Sequence, residues 1–172
     1  PLRRQVAIRM RDAGVVVAPA DVVITHGCTD AVHMTLRVMT QPGDLIAVES
    51  PTYYGLLQVA DLLGLKVIEI PSDANTGISL EALQLAASQW SIKALVLTAR
   101  VSNPLGGTLP EARQRELLRL AESHDLQIIE DDIYGELMFD EGASRALKAF
   151  DRQGRVVYCS SFSKTISPGV RI

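Results

Sequence analysis

The reactive side chains of the sequence are most concentrated around Lys164. This lysine lies among hydroxyl side chains in a segment that follows an apolar run. The hydroxyls of Ser161 and Ser163 and the guanidinium of Arg171 belong to the same segment. Hydroxyls and an arginine can bind an anion beside the lysine amine. Residues 156–158 are β-branched or aromatic and predict a strand, and a later Pro-Gly pair predicts a turn. Lys164 would then follow the carboxyl end of a strand, where open α/β sheets bind ligands, although a lysine among serines is by itself more often a solvated charge.

A second candidate anion site comes early in the chain, between a predicted strand at 22–25 and a predicted helix at 29–39. Gly27, Cys28 and Thr29 would present the free backbone N–H groups of the first helical turn, and the helix dipole favours negative charge there. An ordinary strand-to-helix turn, capped by Thr29 or by the aspartate after it, explains the same residues. If this loop and the lysine segment lie on one edge of a sheet, a single phosphate could be held by both.

Three further residues follow predicted strands and could contact a planar ligand or a substrate. Tyr53 could stack on a planar ring, or it could be a half-buried packing residue. Asn103 stands in an Asn-Pro turn that leaves its amide able to donate a hydrogen bond outward. Arg100 emerges from an apolar strand, where it could contact a substrate but is more often a surface charge.

Glu130, Asp131 and Asp132 end the fifth predicted strand. Three carboxylates in a row are costly at a sheet edge unless a cation or a protonated partner lies nearby. The three histidines of the chain form no ligand pair at helical or hairpin spacing, so no metal site is predicted. A protonated ring nitrogen of a bound ligand satisfies the carboxylates better.

The elements that must position these residues alternate short β-rich runs with longer helical ones, which predicts an α/β fold with a mostly parallel sheet and helices on both faces. Right-handed crossovers would place the carboxyl ends of the strands on one edge, where the polar residues collect. One long irregular stretch is expected at 142–151. The predicted strands are 22–25, 45–49, 66–70, 94–98, 127–130 and 156–159, and the predicted helices are 29–39, 54–63, 80–88 and 110–124.

The composition and net charge of the chain limit the kinds of protein it can be. The chain has 172 residues, is 47% hydrophobic and 22% charged, and carries a net charge of -3, which is ordinary globular composition and argues against a nucleic-acid surface. The arginines near the start of the chain suit the solvated face of a helix. Two separated cysteines, no secretory segment and no apolar run approaching the ~18 residues of a membrane span indicate a soluble, cytoplasmic protein. Both ends look cut, so residues 1–21 are expected to form an N-terminal helix that leads in from a missing segment, and 22–172 to form a truncated domain.

Together, the five loops resemble the large domain of fold type I pyridoxal-phosphate (PLP) enzymes, the aspartate aminotransferase superfamily of class I/II aminotransferases. The resemblance implies that Lys164 holds PLP as an internal aldimine and acts as the catalytic base and acid. It implies that Asp131 pairs with the pyridinium nitrogen. The other cofactor-binding residues that it implies are Gly27, Cys28, Thr29, Ser161, Ser163 and Arg171 at or beside the phosphate, Tyr134 and Asn103 at the phenolic oxygen, and Tyr53 on the ring.

A narrower resemblance, carried by residues 27–31, 102–106, 130–137 and 147–151, is to the aminotransferase-like domain of MocR-type regulators of the GntR family. It implies an effector domain that binds PLP and an amino acid or amine, a homodimer, and contact with DNA only through a winged-helix domain absent from this chain. A free-standing aminotransferase acting on an amino acid and a 2-oxo acid is the alternative, and a domain with a vestigial cofactor site is a third. Residues 99–101 depart from the superfamily pattern. The resemblance implies a small domain, and a seventh strand that separates the first strand from the sixth, and both are expected to lie outside this chain.

Overall fold

A six-stranded sheet forms the centre of the fold in the computed structural model, which describes residues 1–139 and 145–172. The strands are ordered β3-β2-β1-β4-β5-β6. Their bounds are β1 (Leu45–Ser50), β2 (Lys66–Asp73), β3 (Gly77–Ile78), β4 (Ile92–Leu97), β5 (Gln127–Asp131) and β6 (Val156–Cys159). The α-helices are α1 (Leu2–Arg9), α2 (Cys28–Met39), α3 (Tyr54–Leu62), α4 (Leu80–Gln89) and α5 (Glu111–Ser123).

Every strand pair except β2–β3 is parallel, as the alternation of strands and helices predicted. The short β3 runs antiparallel to β2 and was not predicted, because two residues are too few to carry a pattern. In the register of β5 and β6, Asp131 pairs with Cys159. The loops that follow these two strands therefore leave the sheet side by side.

Helices cover both faces of the sheet, and β1 shows why. Successive side chains of a strand point to opposite faces. Ala47 joins a core cluster with α4 and α5, whereas Ile46 and Val48 join a second cluster with α2 and α3. All three residues are fully buried, which explains why the strand is apolar throughout rather than alternating.

Residues 22–25 are not the strand that the sequence predicts. They are extended but pair with no strand of the described part of the chain, where the sheet ends at β6. A groove of about 500 Å³ lies between this segment and β6 and is lined by Ile24 and Val157 among others. A β-branched run becomes a strand only when a ladder partner lies beside it, and here β6 is on the far side of the groove.

The helix boundaries lie within a residue or two of the predicted ones, and each shift has a local cause. Helix α2 begins at Cys28 because Gly27 is its N-cap, with a φ of +90° that suits glycine. Pro110 precedes α5 as its cap rather than opening it. Of the predicted irregular stretch, residues 142–144 lie outside the described residues, and Leu147–Phe150 form a 3-10 helix. None of the described helices is long and apolar enough to cross a membrane.

Candidate functional site

The residues singled out in the sequence collect at one edge of the sheet. Strands β1, β4, β5 and β6 are parallel, so the segments that follow them emerge on the same side. Tyr53 follows β1, Asn103 follows β4, Asp131 ends β5 and Lys164 follows β6. Cys28 begins the helix that packs against β5 and β6.

Two loops that are distant in sequence meet in front of the first turn of α2. A methyl group placed on Gly27 would lie 3.4 Å from Nη2 of Arg171 and 3.7 Å from Oγ of Ser161. The Arg171 guanidinium also donates a hydrogen bond to the carbonyl oxygen of His26 at 2.9 Å. Thr29, the second residue of the helix, is exposed. A guanidinium, a hydroxyl and the N–H groups of a helix start therefore surround one position, which is the donor set that a phosphate needs.

Residues 161–171, which we call the lysine loop, are organised by Ser161. Its Oγ lies 2.8 Å from the carbonyl oxygen of Ile172 and 2.8 Å from Oγ of Ser163, and it accepts a hydrogen bond from the Ser163 N–H at 3.0 Å. One helical turn follows, in which the N–H of Ile166 donates to the carbonyl oxygen of Phe162 at 2.9 Å. Lys164 lies on this turn with its side chain exposed.

Glu130, Asp131 and Asp132, which we call the acidic corner, have three different sets of partners. Glu130 is fully buried and accepts hydrogen bonds from the N–H groups of Leu147 and Lys148 at 2.7 and 2.9 Å. Burial, followed by the charge of Asp132, raises the pKa of Glu130 to about 7. Glu130 thus holds the chain segment that leads into β6.

Asp132 is the centre of a buried hydrogen-bond network. It is 3% exposed and forms an ion pair with Arg100, which is also 3% exposed. Its carboxylate accepts hydrogen bonds from the Tyr158 hydroxyl at 2.7 Å and from the Gly135 N–H at 3.1 Å, and its carbonyl oxygen accepts one from Ser160 at 2.7 Å. Burial and this carboxylate raise the pKa of Tyr158. The network joins the ends of β4, β5 and β6.

The burial of Arg100 corrects its interpretation as a surface charge. The sequence suggested that a protonated ring nitrogen would satisfy the acidic run, whereas Arg100 itself neutralises Asp132 and backbone N–H groups satisfy Glu130. Asp131 takes part in neither of these contacts. A signal was present in the sequence, since an arginine at the end of one apolar strand and a surplus of carboxylates at the end of another imply a buried pair.

Asp131 is half-buried, and the Cys28 thiol donates a hydrogen bond to its Oδ1 at 2.9 Å. Burial raises the pKa of Asp131, the Cys28 hydrogen bond lowers it, and the charge of Asp132 raises it, so that the result is a raised pKa. A carboxylate of this kind gains from a cationic partner, because partial burial makes its charge costly.

The ring of Tyr53 covers Gly55, where a methyl group would collide with it. Its centroid lies 4.9 Å from that of Tyr54, with the planes tilted by 56°. The side chain is 37% exposed, so it packs on one side and is accessible on the other. Burial raises the pKa of Tyr53, with smaller contributions from Tyr54, Tyr134 and Asp131, so the phenol lies within the electrostatic reach of the acidic corner.

Asn103 and Tyr134 complete the edge. Asn103 is half-buried in a turn in which the N–H of Gly106 donates to the carbonyl oxygen of Ser102 at 2.6 Å. Tyr134 is half-buried and precedes the 3-10 helix Gly135–Leu137. Among residues 1–139 and 145–172, no group of three or more His, Cys, Asp or Glu side chains is arranged to hold a metal ion.

Residues 2–172 match the family described as Aminotransferase class I and II. The chain belongs to this family. It is an aminotransferase-like domain homologous to MocR-type regulators of the GntR family, as the relatives below show.

Relatives of this aminotransferase-like domain include regulators and enzymes. It is 50% identical to an uncharacterized HTH-type transcriptional regulator, YjiR, of Escherichia coli (strain K12), over 99% of this chain and 36% of that protein. It is 36% identical to aromatic-amino-acid aminotransferase 1 of Thermococcus litoralis, over 100% of this chain and 42% of that protein. The crystal structure of LysN, an alpha-aminoadipate aminotransferase from Thermus thermophilus complexed with N-(5'-phosphopyridoxyl)-L-leucine, superposes with a TM-score of 0.91 at 32% identity, covering 99% of this chain and 43% of LysN. The chain thus spans less than half the length of each.

The aminotransferase-like domain also contains a contact that the sequence did not reveal, between its first helix and the site loops. Arg9 donates from Nε to Glu136 at 2.6 Å and forms an ion pair with it, and its guanidinium lies 5.1 Å from the centroid of the Phe162 ring. The sequence placed Arg9 on a solvated helix face. The partners lie more than a hundred residues away, and no local pattern could have indicated them. Arg9 therefore connects α1 to Glu136, in the segment that follows β5, and to Phe162 of the lysine loop.

Proposed function

We propose that this chain is the PLP-binding effector domain of a MocR-type transcriptional regulator, and that it responds to an amino acid or amine. The observation that carries the proposal is the meeting of Gly27, Ser161 and Arg171 in front of α2, beside a half-buried Asp131. Each of these residues has a chemical type suited to one part of PLP. The regulators among the relatives support the choice of a regulatory protein.

The phosphate end fits a dianion. Gly27 lacks a side chain at the point where Arg171 and Ser161 approach, so a phosphate oxygen could come close to the backbone there. In this proposal Arg171 and Ser161 bind the phosphate from one side, and the N–H groups of Cys28 and Thr29 bind it from the other. Ser163 supports Ser161 through the short contact between their hydroxyls.

The ring end fits a protonated heterocycle. Asp131 would bind the ring nitrogen, Tyr134 and Asn103 would donate to the phenolic oxygen, and Tyr53 would stack on the ring. Bound in this way, PLP supplies an electron-withdrawing ring that acidifies the α-carbon of an amino acid. Lys164 would hold the cofactor through its amine and, once released, would move a proton at that α-carbon as general base and acid.

Spectroscopy of the full-length protein tests the proposal. Added PLP should produce the visible absorption band of lysine-bound cofactor, and borohydride reduction followed by peptide mass spectrometry should place the phosphopyridoxyl group on Lys164. The Lys164→Ala variant should lose both signals, whereas Lys93→Ala, which removes an exposed lysine of β4, should keep them. A parent protein that shows no band, or a label on another lysine, would overturn the assignment.

A free-standing aminotransferase is the second candidate, favoured by the 36% identity to the Thermococcus litoralis enzyme. Turnover separates the two functions. With a panel of amino acids, stoichiometric conversion of the bound cofactor to pyridoxamine phosphate and its return by a 2-oxo acid would show transamination. A spectral change without that conversion would show sensing. A winged-helix segment upstream of residue 1 would favour the regulator, and a short arm would favour the enzyme.

The organisation of the whole protein is also part of the proposal. Residues 22–172 would form the core of the PLP-binding large domain, with residues 1–21 leading in from a DNA-binding domain and the cofactor site completed in a cytoplasmic homodimer.

The apolar groove between residues 22–25 and β6 would receive a strand from the chain that follows Ile172. In the full-length protein, Val23→Cys should then react with a thiol reagent far more slowly than Val16→Cys, although the two valines are 71% and 83% exposed here. Equal rates would show that the groove stays open.

A further inference from the structure

Cys28 is directed toward the ring-nitrogen end of the site and not toward the phosphate, and this inference about it rests on the function proposed above. It is the first residue of α2 and is 7% exposed. Its Sγ lies 2.9 Å from Oδ1 of Asp131 and donates a hydrogen bond to it across 103 positions of sequence. The family resemblance assigns Cys28 to the phosphate, but only its backbone N–H, at the helix start, is placed for that role.

The thiol remains protonated beside this carboxylate. Burial, followed by the charge of Asp131 and the neighbouring Cys159, raises the pKa of Cys28 well above its ordinary value. A neutral thiol can donate one hydrogen bond, and Asp131 is its acceptor. In the described part of the chain, no other side chain donates to Asp131.

We propose that Cys28 is a positioning residue for Asp131: its thiol holds Oδ1 of the carboxylate, so that the other oxygen is left for the protonated ring nitrogen of the cofactor. The carboxylate can rotate about its side-chain bonds, and a single donor anchored at the start of a helix selects one orientation. A thiol is also a weak donor. It therefore orients Asp131 while withdrawing less of its negative charge than a hydroxyl or an ammonium would.

The contact can be tested without cofactor through the reactivity of the thiol. The full-length apoprotein is treated with iodoacetamide at one pH, and alkylation of Cys28 and Cys159 is followed separately by peptide mass spectrometry. Replacing Asp131 with Asn removes the adjacent negative charge, which lowers the free energy of forming the Cys28 thiolate. The rate of Cys28 alkylation should therefore rise on the order of tenfold. Cys159 is also buried, and because its pKa is raised mainly by burial and less by Asp131, its smaller rate increase serves as the internal reference. A change at Cys28 no larger than the change at Cys159 would overturn the proposal.

The consequence for the cofactor is tested by rescue. Cys28→Ala should raise the dissociation constant for PLP by roughly threefold to tenfold, the usual effect of losing one neutral hydrogen bond. Cys28→Ser, whose hydroxyl can donate to the same oxygen, should bind within about twofold of the parent. Cys159→Ala removes a buried cysteine from β6, and this variant should also bind PLP within about twofold of the parent. If the serine variant binds as weakly as the alanine variant, Cys28 acts through packing and not through Asp131.

The two measurements separate failure of this inference from failure of the proposed function. A parent protein that binds no PLP would refute the function, and the alkylation rates would still decide whether Cys28 contacts Asp131. If the parent binds PLP but Cys28 is alkylated at the same rate in the parent and in the Asp131→Asn variant, the contact is refuted and the function is left intact.

Discussion

At the acidic corner, Asp132 is 3% exposed and accepts hydrogen bonds from three different segments, whereas in the lysine loop both Lys164 and Arg171 are exposed. The two regions follow neighbouring strands and would bind opposite ends of one cofactor. The acidic corner is held by the core of the domain itself. The lysine loop is held by hydrogen bonds near its ends, from the Ser161 hydroxyl and the Phe162 N–H to Ile172 and from Arg171 to the backbone of His26.

The difference fits the role that we propose for each region. A carboxylate that is to keep a ring nitrogen protonated must be fixed and partly withdrawn from water, and the buried ion pair beside it prevents movement of the β5 end. A lysine that forms and releases a covalent link must be able to move. We therefore expect substitutions of Glu130 and Asp132 to act mainly on stability, and substitutions in the lysine loop to act mainly on cofactor binding.

Asp132→Ala should have the largest effect. Removing one member of a buried ion pair typically lowers the free energy of unfolding by about 3–5 kcal/mol, because the buried guanidinium of Arg100 loses that partner. Lys164→Ala, at an exposed position of the lysine loop, should change the same quantity by less than about 0.5 kcal/mol. Urea unfolding of the two variants measures both. Similar losses in the two variants would remove the distinction between the regions.

Glu49 should make stability depend on pH. It is 3% exposed beside the edge, accepts a hydrogen bond from the Thr98 N–H at 2.8 Å, and has a pKa raised to about 7 by burial. Between its ordinary pKa and about 7 the folded state keeps a proton that the unfolded state has lost, so stability should fall as pH rises through this range and then level off. The contribution is at most about 3 kcal/mol.

Glu49→Gln should remove that contribution and make the curve of unfolding free energy against pH shallower between about 4.5 and 7, the remaining slope coming from Glu130, whose pKa is also raised to about 7. The exposed Glu116→Gln on α5 is the matched control and should leave the curve unchanged. The lysine loop contains no carboxylate, so it can add nothing to this dependence. A wild-type curve that rises over the range would contradict the protonation of buried Glu49.

Arg171→Ala tests the phosphate end. Hydrogen bonds to a charged group contribute about 1.5–3 kcal/mol, so the dissociation constant for PLP should increase roughly tenfold to a hundredfold with little change in unfolding free energy. Binding of pyridoxal, which lacks the phosphate, should be unaffected. Arg119→Ala, an exposed arginine of α5, is the control. An equal loss for PLP and pyridoxal would place Arg171 away from the phosphate.

Arg9 joins α1 to Glu136 and to the lysine loop, and its replacement should have only a small effect on stability. Exposed ion pairs contribute about 0–1 kcal/mol, and the Arg9–Glu136 pair is more than a third exposed on both sides. Arg9→Ala should therefore barely change unfolding, yet it frees α1 from both loops. Hydrogen exchange should become faster in residues 134–137 and 161–166 of the variant, while Arg4→Ala on the same helix should leave it unchanged. Identical exchange in the two variants would show that α1 is not coupled to the site.

Much of this domain could be predicted from periodicity and loop composition. The α/β class, five of the six predicted strands and the positions of the four main helices follow from apolar runs separated by glycine, proline and capping residues. These signals are local, and they place the polar residues after the strands. The shared edge then follows from the fixed handedness of parallel crossovers.

The features that the sequence could not show are set by contacts with residues that are distant in the chain. Residues 22–25 have the composition of a strand, but a ladder needs a neighbour and the described chain offers none. Arg100 has the composition of a surface charge, but Asp132 draws it into the interior. Cys28 has the position of a phosphate ligand, but its thiol bonds to Asp131.

By itself, then, the amino-acid sequence determined the fold class, the family and the side chains available at the carboxyl edge of the sheet, because helix and strand preferences and loop chemistry act over a few neighbouring residues. Only the tertiary structure decided how the three carboxylates of the acidic corner divide among a backbone segment, a thiol and a guanidinium. Burial makes each unpaired charge costly, and the pairing that relieves this cost is made between residues that lie far apart in the chain.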